Sequence, residues 1–487
     1  MKKYLLALLC LAALASQAQK KTIAAIEKQV SRPEAEAILT FLSADEMRGR
    51  NTGSPEIDIA ANYIASRFRQ WQLSTVAGAE NYFQPVQLSQ VKPPSAGTLQ
   101  IDQLTFAFKE HFIALNGNDT QLGGEIVFAG YGAPEEITPA VKGKIVVVYA
   151  GIRGSTNPME FYTAGPDKLK RVAAAGGLGL VELLTNINFP WSALVNYFGS
   201  QERFGIQSSS ELPHLLMKDQ ESLAAFREKG SGQGSLTIQG VIAKTIPARN
   251  VAARIQGTDP VLRNETIVIS AHYDHVGVSK PRNGQDSIFN GARDNAIGVT
   301  AMLSAAHYFS LNPPKRSLLF LAFTGEEKGL LGSAWYADHP LIPLEQTVFN
   351  FDCDGAGYND KSLTTVIGLE RTSAETDIAS ACKAFGLTAT KDPVPEQNLY
   401  ERSDNYNFAR KGVPAIDFAP GIKAFDEELM KYYHQPADEV ASLDFDYLMK
   451  YFKAFVYANH LLANNPKTPF WNAGDKFEPV GKALYKK

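Results

Sequence analysis

The sequence predicts an α/β fold, a mixed and largely parallel sheet flanked by helices, interrupted by a smaller β-rich insert. Three observations carry this. Apolar runs of strand length at 266–270, 317–323, 347–351 and 413–418 alternate with helical stretches at 296–309, 373–385 and 443–462, the pattern of a buried parallel sheet covered by helices. Between about residues 91 and 246 the texture changes to short β-like runs punctuated by glycine. Ahead of both, residues 33–73 read as helix, turn, helix.

Taken in order, the chain opens with Lys2 and Lys3, an apolar stretch from Leu5 to Ala15, and the small residues Ser16 and Ala18 around Gln17. This is the pattern of a secretory signal peptide and predicts cleavage after Ala18 and export to the periplasm or outside. The apolar run is too short for a bilayer span, and no later stretch reaches about 18 apolar residues, so no stable membrane insertion is expected after cleavage. In the helix pair, Pro55 follows Ser54 at a first helical position, and Ile57, Ala60, Ile64, Phe68 and Trp71 recur at three- and four-residue spacing to make one apolar face. The turn between the two helices is Arg48-Gly49-Arg50-Asn51-Thr52-Gly53. The insert shows β-like runs at 98–101, 125–128 and 144–149, a helix at 168–175, and the apolar run 178–183. The expected organisation is a leader at 1–18, a discontinuous domain from 19–95 and 246–465, an insert at 96–245 and a tail at 466–487.

With 487 residues, 45% hydrophobic and 20% charged, the chain has the composition of a globular protein rather than of a disordered or polytopic membrane protein. Net charge is -3, and loss of Lys2 and Lys3 leaves 46 basic against 51 acidic residues, or -5. Nucleic acid and anionic membrane are therefore not expected partners. Only Cys353 and Cys382 lie beyond the leader, which is no disulfide framework; one bridge or two buried thiols are both compatible with the spacing.

The residues just past each strand are informative. After 266–270 come His272, Asp274 and His275; after 317–323 come Glu326 and Glu327; and 347–351 runs into Asp352 and Asp354. In open α/β sheets the ligand crevice lies beyond the carboxyl ends of the strands, so three ends deliver imidazole and carboxylate to one place. Asp294, ahead of the helix near Ala296, and His434, in Tyr433-His434-Gln435-Pro436-Ala437-Asp438, complete a donor set suited to zinc. The histidines at 111, 214, 307, 339 and 460 read as ordinary structural or surface residues.

Five ordered stretches resemble the exported co-catalytic dizinc aminopeptidases, a zinc exopeptidase family. They are Ala271-His272-Tyr273-Asp274-His275-Val276-Gly277, Gly291-Ala292-Arg293-Asp294-Asn295-Ala296-Ile297-Gly298, Thr324-Gly325-Glu326-Glu327-Lys328-Gly329-Leu330-Leu331-Gly332-Ser333, Asn350-Phe351-Asp352 and Tyr433-His434-Gln435-Pro436. The insert resembles the protease-associated domain, through Lys142-Gly143-Lys144 before a strand, the Ala-rich helix ending in Gly176-Gly177, and Pro213 before a short strand. The likeness runs from the helices near Arg50 to the last helix.

The resemblance implies a zinc exopeptidase-like fold and two zinc ions bridged by Asp294, one completed by His272 and Asp352, the other by Glu327 and His434. It further implies Glu326 as general base, Asp274 as the carboxylate orienting His272, Tyr433 as an oxyanion donor, and peptides with a free N-terminus as substrates. Asp352 is preferred to Asp354 on its position after Asn350-Phe351. Arg402, in Arg402-Ser403-Asp404-Asn405, stands either as a substrate contact or as an exposed loop arginine, and Asn405 replaces a histidine common in the family. Two other functions fit the same scaffold: a glutaminyl cyclase-like acyltransferase, disfavoured by the presence of His272, and a non-catalytic binding protein, disfavoured by retention of all five ligands.

Overall fold

The computed structural model describes residues 17, 19–155, 164–185, 190–206, 212–280 and 286–486. Apart from Gln17, the leader read at 1–18 lies outside the described residues. Among the described residues no helix is long and apolar enough to cross a membrane. The chain divides into two compact units, one formed by Met1–Gln87 with Pro247–Lys487, the other by Leu88–Ile246.

In the first unit, consecutive sheet neighbours are Thr388–Thr390, Leu363–Ile367, Ala415–Pro420, Thr347–Asp352, Thr266–His272, Ser317–Phe323 and Ile242–Ile255. The strands from Ala415–Pro420 to Ser317–Phe323 run parallel. Leu363–Ile367 pairs antiparallel with Ala415–Pro420, and Ile242–Ile255 antiparallel with Ser317–Phe323, which makes the sheet mixed. The four central strands are buried along their whole length. That is why they read as unbroken apolar runs rather than as alternation.

Alternation survives inside the burial. Ile267, Ile269, Leu318 and Phe320 join a core shared with the helices Arg32–Leu42, Pro55–Gln70, Ile297–Leu311 and Phe445–Asn464, while Val268, Leu319 and Leu321 join a second core on the opposite face. Covering both faces leaves the strand ends as the place where polar side chains can gather.

The segment 466–487, read from the sequence as a tail, packs into this second core. Trp471 and Phe477 are buried there, the Trp471 indole donates to Gly412 O at 3.0 Å, and a helix forms at Glu478–Leu484. Cys353 and Cys382 are both buried free thiols.

The second unit is a sheet in the order Leu104–Ala107, Ala96–Ile101, Ser231–Gln239, Thr120–Phe128, Ile145–Tyr149, Gly179–Leu184, His214–Lys218 and Phe112–Asn116. Its four strands from Thr120–Phe128 to His214–Lys218 are parallel, with the helix Gly165–Ala174 between two of them in sequence. A buried trio sits here: the Lys168 ammonium lies 2.8 Å from Glu182 Oε2, and His214 Nε2 lies 2.7 Å from Glu182 Oε1. Burial alone would raise the Glu182 carboxyl, but His214 and Lys168 together bring it below its ordinary value. Each of the three is satisfied by the others, so this is an internal brace.

Candidate metal centre

The parallel register brings the chemistry together. Ser270 lies opposite Asp352, and His272 opposite Phe323, so the residues just beyond these pairs leave the sheet at one edge. His272, Asp274 and His275 emerge from the first strand, Glu326 and Glu327 from the second, and Asp354 from the third.

Asp294 arrives on the loop leading into the helix Ile297–Leu311. That loop is held by Asp438, whose carboxylate accepts from the amides of Arg293 (2.8 Å) and Asp294 (3.2 Å). Because Asp438 lies four residues after His434, the same contacts tie the His434 loop to the Asp294 loop. The Asn295 amide donates to Cys353 O at 2.8 Å, and its Oδ1 accepts from Gly298 N at 3.0 Å. A Cβ on Gly298 would lie 2.2 Å from Cys353 O, so only glycine lets the helix start this close to the strand end that carries Asp354.

Two groups of donor atoms converge. His272, Asp294 and Asp354 form one; His275, Asp294, Glu327 and His434 form the other, and Asp294 belongs to both. In the first, His272 Nε2 lies 3.0 Å from Asp354 Oδ1 and 3.3 Å from Asp294 Oδ1. In the second, His434 Nε2 lies 3.1 Å from both Asp294 Oδ2 and Glu327 Oε2, and His275 Nδ1 lies 2.7 Å from Glu327 Oε1. Glu326 Oε2 faces His272 Nε2 at 3.9 Å, beside the first group.

Asp352, preferred from the sequence as the partner of His272, is placed elsewhere. Its Oδ1 accepts from Ser270 (2.5 Å) and its Oδ2 from Ser403 (3.0 Å), and it belongs to neither donor group. The register explains this: Asp352 pairs with Ser270 inside the sheet, so the residue two further along, Asp354, is the one that reaches His272. Burial, with Asp354 adding to it, pushes the Asp352 carboxyl up to about 6.

Asp274 also differs from the sequence reading. The best partner of His272 Nδ1 is the Asp274 backbone carbonyl at 3.2 Å, with the carboxylate 3.8 Å away. That carboxylate accepts instead from the amides of Glu326 (3.1 Å) and Glu327 (3.3 Å) and from the Thr52 hydroxyl (2.9 Å). It therefore positions the two glutamates, while its backbone positions the histidine.

Arg402 is exposed and donates to the Tyr433 hydroxyl at 3.1 Å; the Tyr433 ring stacks on His434 at 4.2 Å. Burial, with Asp294 close by, raises the Tyr433 phenol and keeps it a donor.

The electrostatics are those of buried carboxylates seeking cations. Burial pushes the Glu326 carboxyl well above its ordinary value; His272 opposes this, and Asp354 and Glu327 reinforce it. Asp294 is held well below, because His275, His272 and His434 outweigh its burial. Glu327 is brought down to about 2: burial and Asp294 push it up, but His275 and His434 prevail. His434 is raised to about 10, Asp294 and Glu327 overcoming its burial.

His275 Nδ1 and Nε2 and Glu327 Oε1 are buried without a hydrogen-bond partner among the described residues. Such atoms cost stability unless something else satisfies them. Imidazole and carboxylate donors converging in this way fit a zinc ion, or a pair sharing Asp294.

Sequence reasoning missed three positions that the structure brings to the site. Asp354 and His275 both stood in the strand-end runs, but strand register, which separates Asp352 from Asp354, is invisible in one sequence. Arg50 was read as part of a turn. It is buried and donates to Tyr273 O (3.0 Å), Asn290 O (2.7 Å), Gly291 O (2.9 Å) and Leu42 O, so it locks the loops carrying His272 and Asp294. Burial lowers its guanidinium to about 10, with Asp438, Asp294 and Asp274 opposing the shift.

Residues 250–458, which contain every metal donor in both groups, match the model of peptidase family M28. This segment is thus similar to the catalytic domains of that peptidase family. Aminopeptidase YwaD of Bacillus subtilis (strain 168) is 25% identical over 315 residues, 64% of this chain and 61% of that protein. The vacuolar membrane protease of Saccharomyces cerevisiae (strain ATCC 204508 / S288c) is 32% identical over 108 residues, 22% of this chain. The chain thus spans 61% of the first relative's length and 10% of the second's. Among solved structures, an aminopeptidase from Aneurinibacillus sp. strain AM-1 superposes with a TM-score of 0.53 at 23% identity, covering 92% of this chain and 97% of that one. That structure and this chain share a fold.

Proposed function

We propose that the chain is an exported metallo-aminopeptidase that removes N-terminal residues from peptides with two zinc ions. The observation that carries this reading is the pair of donor groups sharing Asp294, with Glu326 facing His272 of the first. The M28 match and the similarity to a bacterial aminopeptidase support it, and the basic start and short apolar run of the leader support export.

His272, Asp294 and Asp354 would hold one ion, and Asp294, Glu327 and His434 the other. When bound, the ions supply Lewis acidity, polarising the scissile carbonyl and acidifying the attacking water. Glu326 accepts the proton of that water at its carboxylate and passes it to the departing amine, so one water is consumed and a carboxylate and an amine leave. Asp274 fixes Glu326 by its amide, and Tyr433, aimed by Arg402, donates to the carbonyl oxygen as negative charge develops there. The carboxylates of the site would bind the substrate's ammonium group by charge-assisted hydrogen bonds.

A panel of aminoacyl and N-acetylated chromogenic substrates, assayed on zinc-reconstituted protein, tests this. Losing one charge-assisted bond of about 1.5 to 3 kcal/mol predicts that acetylation lowers kcat/KM by roughly 10- to 100-fold. Equal rates on free and blocked substrates would point to an endopeptidase or an amidase.

The placement of Asp354 gives a second expected result. Asp354→Asn weakens one of the two zinc positions by roughly 100-fold or more in a chelator competition, since a direct ligand counts for more than the 10- to 100-fold typical of an outer partner. Asp352→Asn keeps two equivalents. Zinc loss from the Asp352 variant with retention in the Asp354 variant would restore Asp352 as the ligand.

A further inference from the structure

His275 stands apart from every other histidine in the chain. It is fully buried, and among the described residues neither ring nitrogen has a hydrogen-bond partner. Yet Nδ1 lies 2.7 Å from Glu327 Oε1 and 3.9 Å from Asp294 Oδ2. Glu327 Oε1 is likewise buried without a hydrogen bond, so this close approach is a meeting of two donor atoms with no hydrogen-bond geometry between them. Atoms that converge without bonding one another are what a common cation requires.

The distances agree. Four ligand atoms about 2.0 to 2.1 Å from a tetrahedral zinc lie about 3.3 Å from one another. Around this position Asp294 Oδ2 lies 3.1 Å from His434 Nε2 and 3.9 Å from His275 Nδ1, while Glu327 meets His275 through Oε1 at 2.7 Å and His434 through Oε2 at 3.1 Å; one ligand atom from each of the four residues lies within 4.8 Å of the others.

The ring is held for this. His275 N donates to Arg50 O at 3.2 Å, which fixes the backbone through the buried arginine. On one side the ring packs on Gly291, where a Cβ would lie 2.7 Å from its Cγ and Cδ2, so only glycine leaves room. On the other side stands the His434 ring, 5.6 Å away at an interplanar angle of 69°.

We infer that His275 is a fourth protein ligand, through Nδ1, of the cation position built by Asp294, Glu327 and His434. The inference rests on the dizinc reading of the site and goes beyond it by making the two positions unequal. The Glu327 side has four protein donors, and the His272 side three, so the open coordination positions lie mainly on the His272 side. The Glu327 position therefore fills first and holds its ion more tightly.

The test counts histidine ligands in the unmodified protein reconstituted with two equivalents of cobalt(II). Each coordinated imidazole retains one N–H, which gives a strongly shifted proton resonance present in water and absent after exchange into deuterium oxide. Three such resonances are expected, from His272, His275 and His434. Alongside, His275→Gln is expected to lower the affinity for the tighter zinc by roughly 100-fold or more in a chelator competition while leaving the other position filled. Two resonances with two cobalt ions bound would overturn the role of His275 and leave the dinuclear reading standing. So would an unchanged zinc affinity in the variant. No cobalt or zinc uptake by the unmodified protein would overturn both readings.

Discussion

Glu326→Gln is expected to lower kcat by roughly 100- to 10,000-fold, the usual cost of removing a general base, while zinc content stays near two. The amide preserves the shape and hydrogen-bonding reach of the carboxylate but takes no proton. Glu326 belongs to neither donor group, and its contact with His272 Nε2 is long, at 3.9 Å. Glu327→Gln should behave differently, because Glu327 Oε2 lies 3.1 Å from His434 Nε2 and its Oε1 faces His275. Replacing that anionic donor by a neutral amide is expected to deplete one zinc position along with activity. Metal analysis of both purified variants beside their kinetics separates the two. Zinc lost from Glu326→Gln and retained in Glu327→Gln would reverse the two roles.

These neighbours differ because Asp274 holds both of their amides, one on each carboxylate oxygen, and so splays the two side chains from a single anchor. Spacing could not separate them. The sequence did disclose which strands deliver donors, because fully buried parallel strands read as apolar runs and the polar residues just after them stand out. Asp294 and His434 were legible for a similar reason, each lying in a short polar run outside any apolar period.

The hidden features depend on contacts between segments far apart in the chain. Choosing Asp354 over Asp352 needs the register of Thr347–Asp352 against Thr266–His272. The role of Arg50 needs the loops at 273 and 290–291, more than 220 residues away, and a turn rich in glycine and arginine carries no local sign of a buried guanidinium. The segment after residue 466 looked like a tail because its anchors, Trp471 and Phe477, are too few and irregularly spaced to show a period.

Chelation is expected to abolish activity and, in the same sample, to lower the melting temperature, with zinc restoring both. The loss of activity rests on the donor chemistry: Cys353, the thiol nearest the site, is buried and pushed well above its ordinary value by that burial, so it is no alternative nucleophile. The loss of stability rests on the charges. Asp294, Glu327, Glu326 and Asp354 are gathered with little solvent to screen them, their side chains only 7, 6, 11 and 15% exposed. Without ions, the described cations that face them include His272, His434 and the buried Arg50. A ligand that binds the folded state alone, at about 1,000 times its Kd, stabilises it by about 4 kcal/mol. Each kcal/mol moves the melting point of a large domain by about 2 °C, so a downward shift of at least about 5 °C is expected on removing both ions. Differential scanning calorimetry before and after exhaustive chelation, with the zinc content measured on each sample, provides the check. A metal-free protein that melts at the same temperature and still cleaves aminoacyl substrates would show that these carboxylates are balanced by the protein's own cations and that the hydrolytic machinery lies elsewhere.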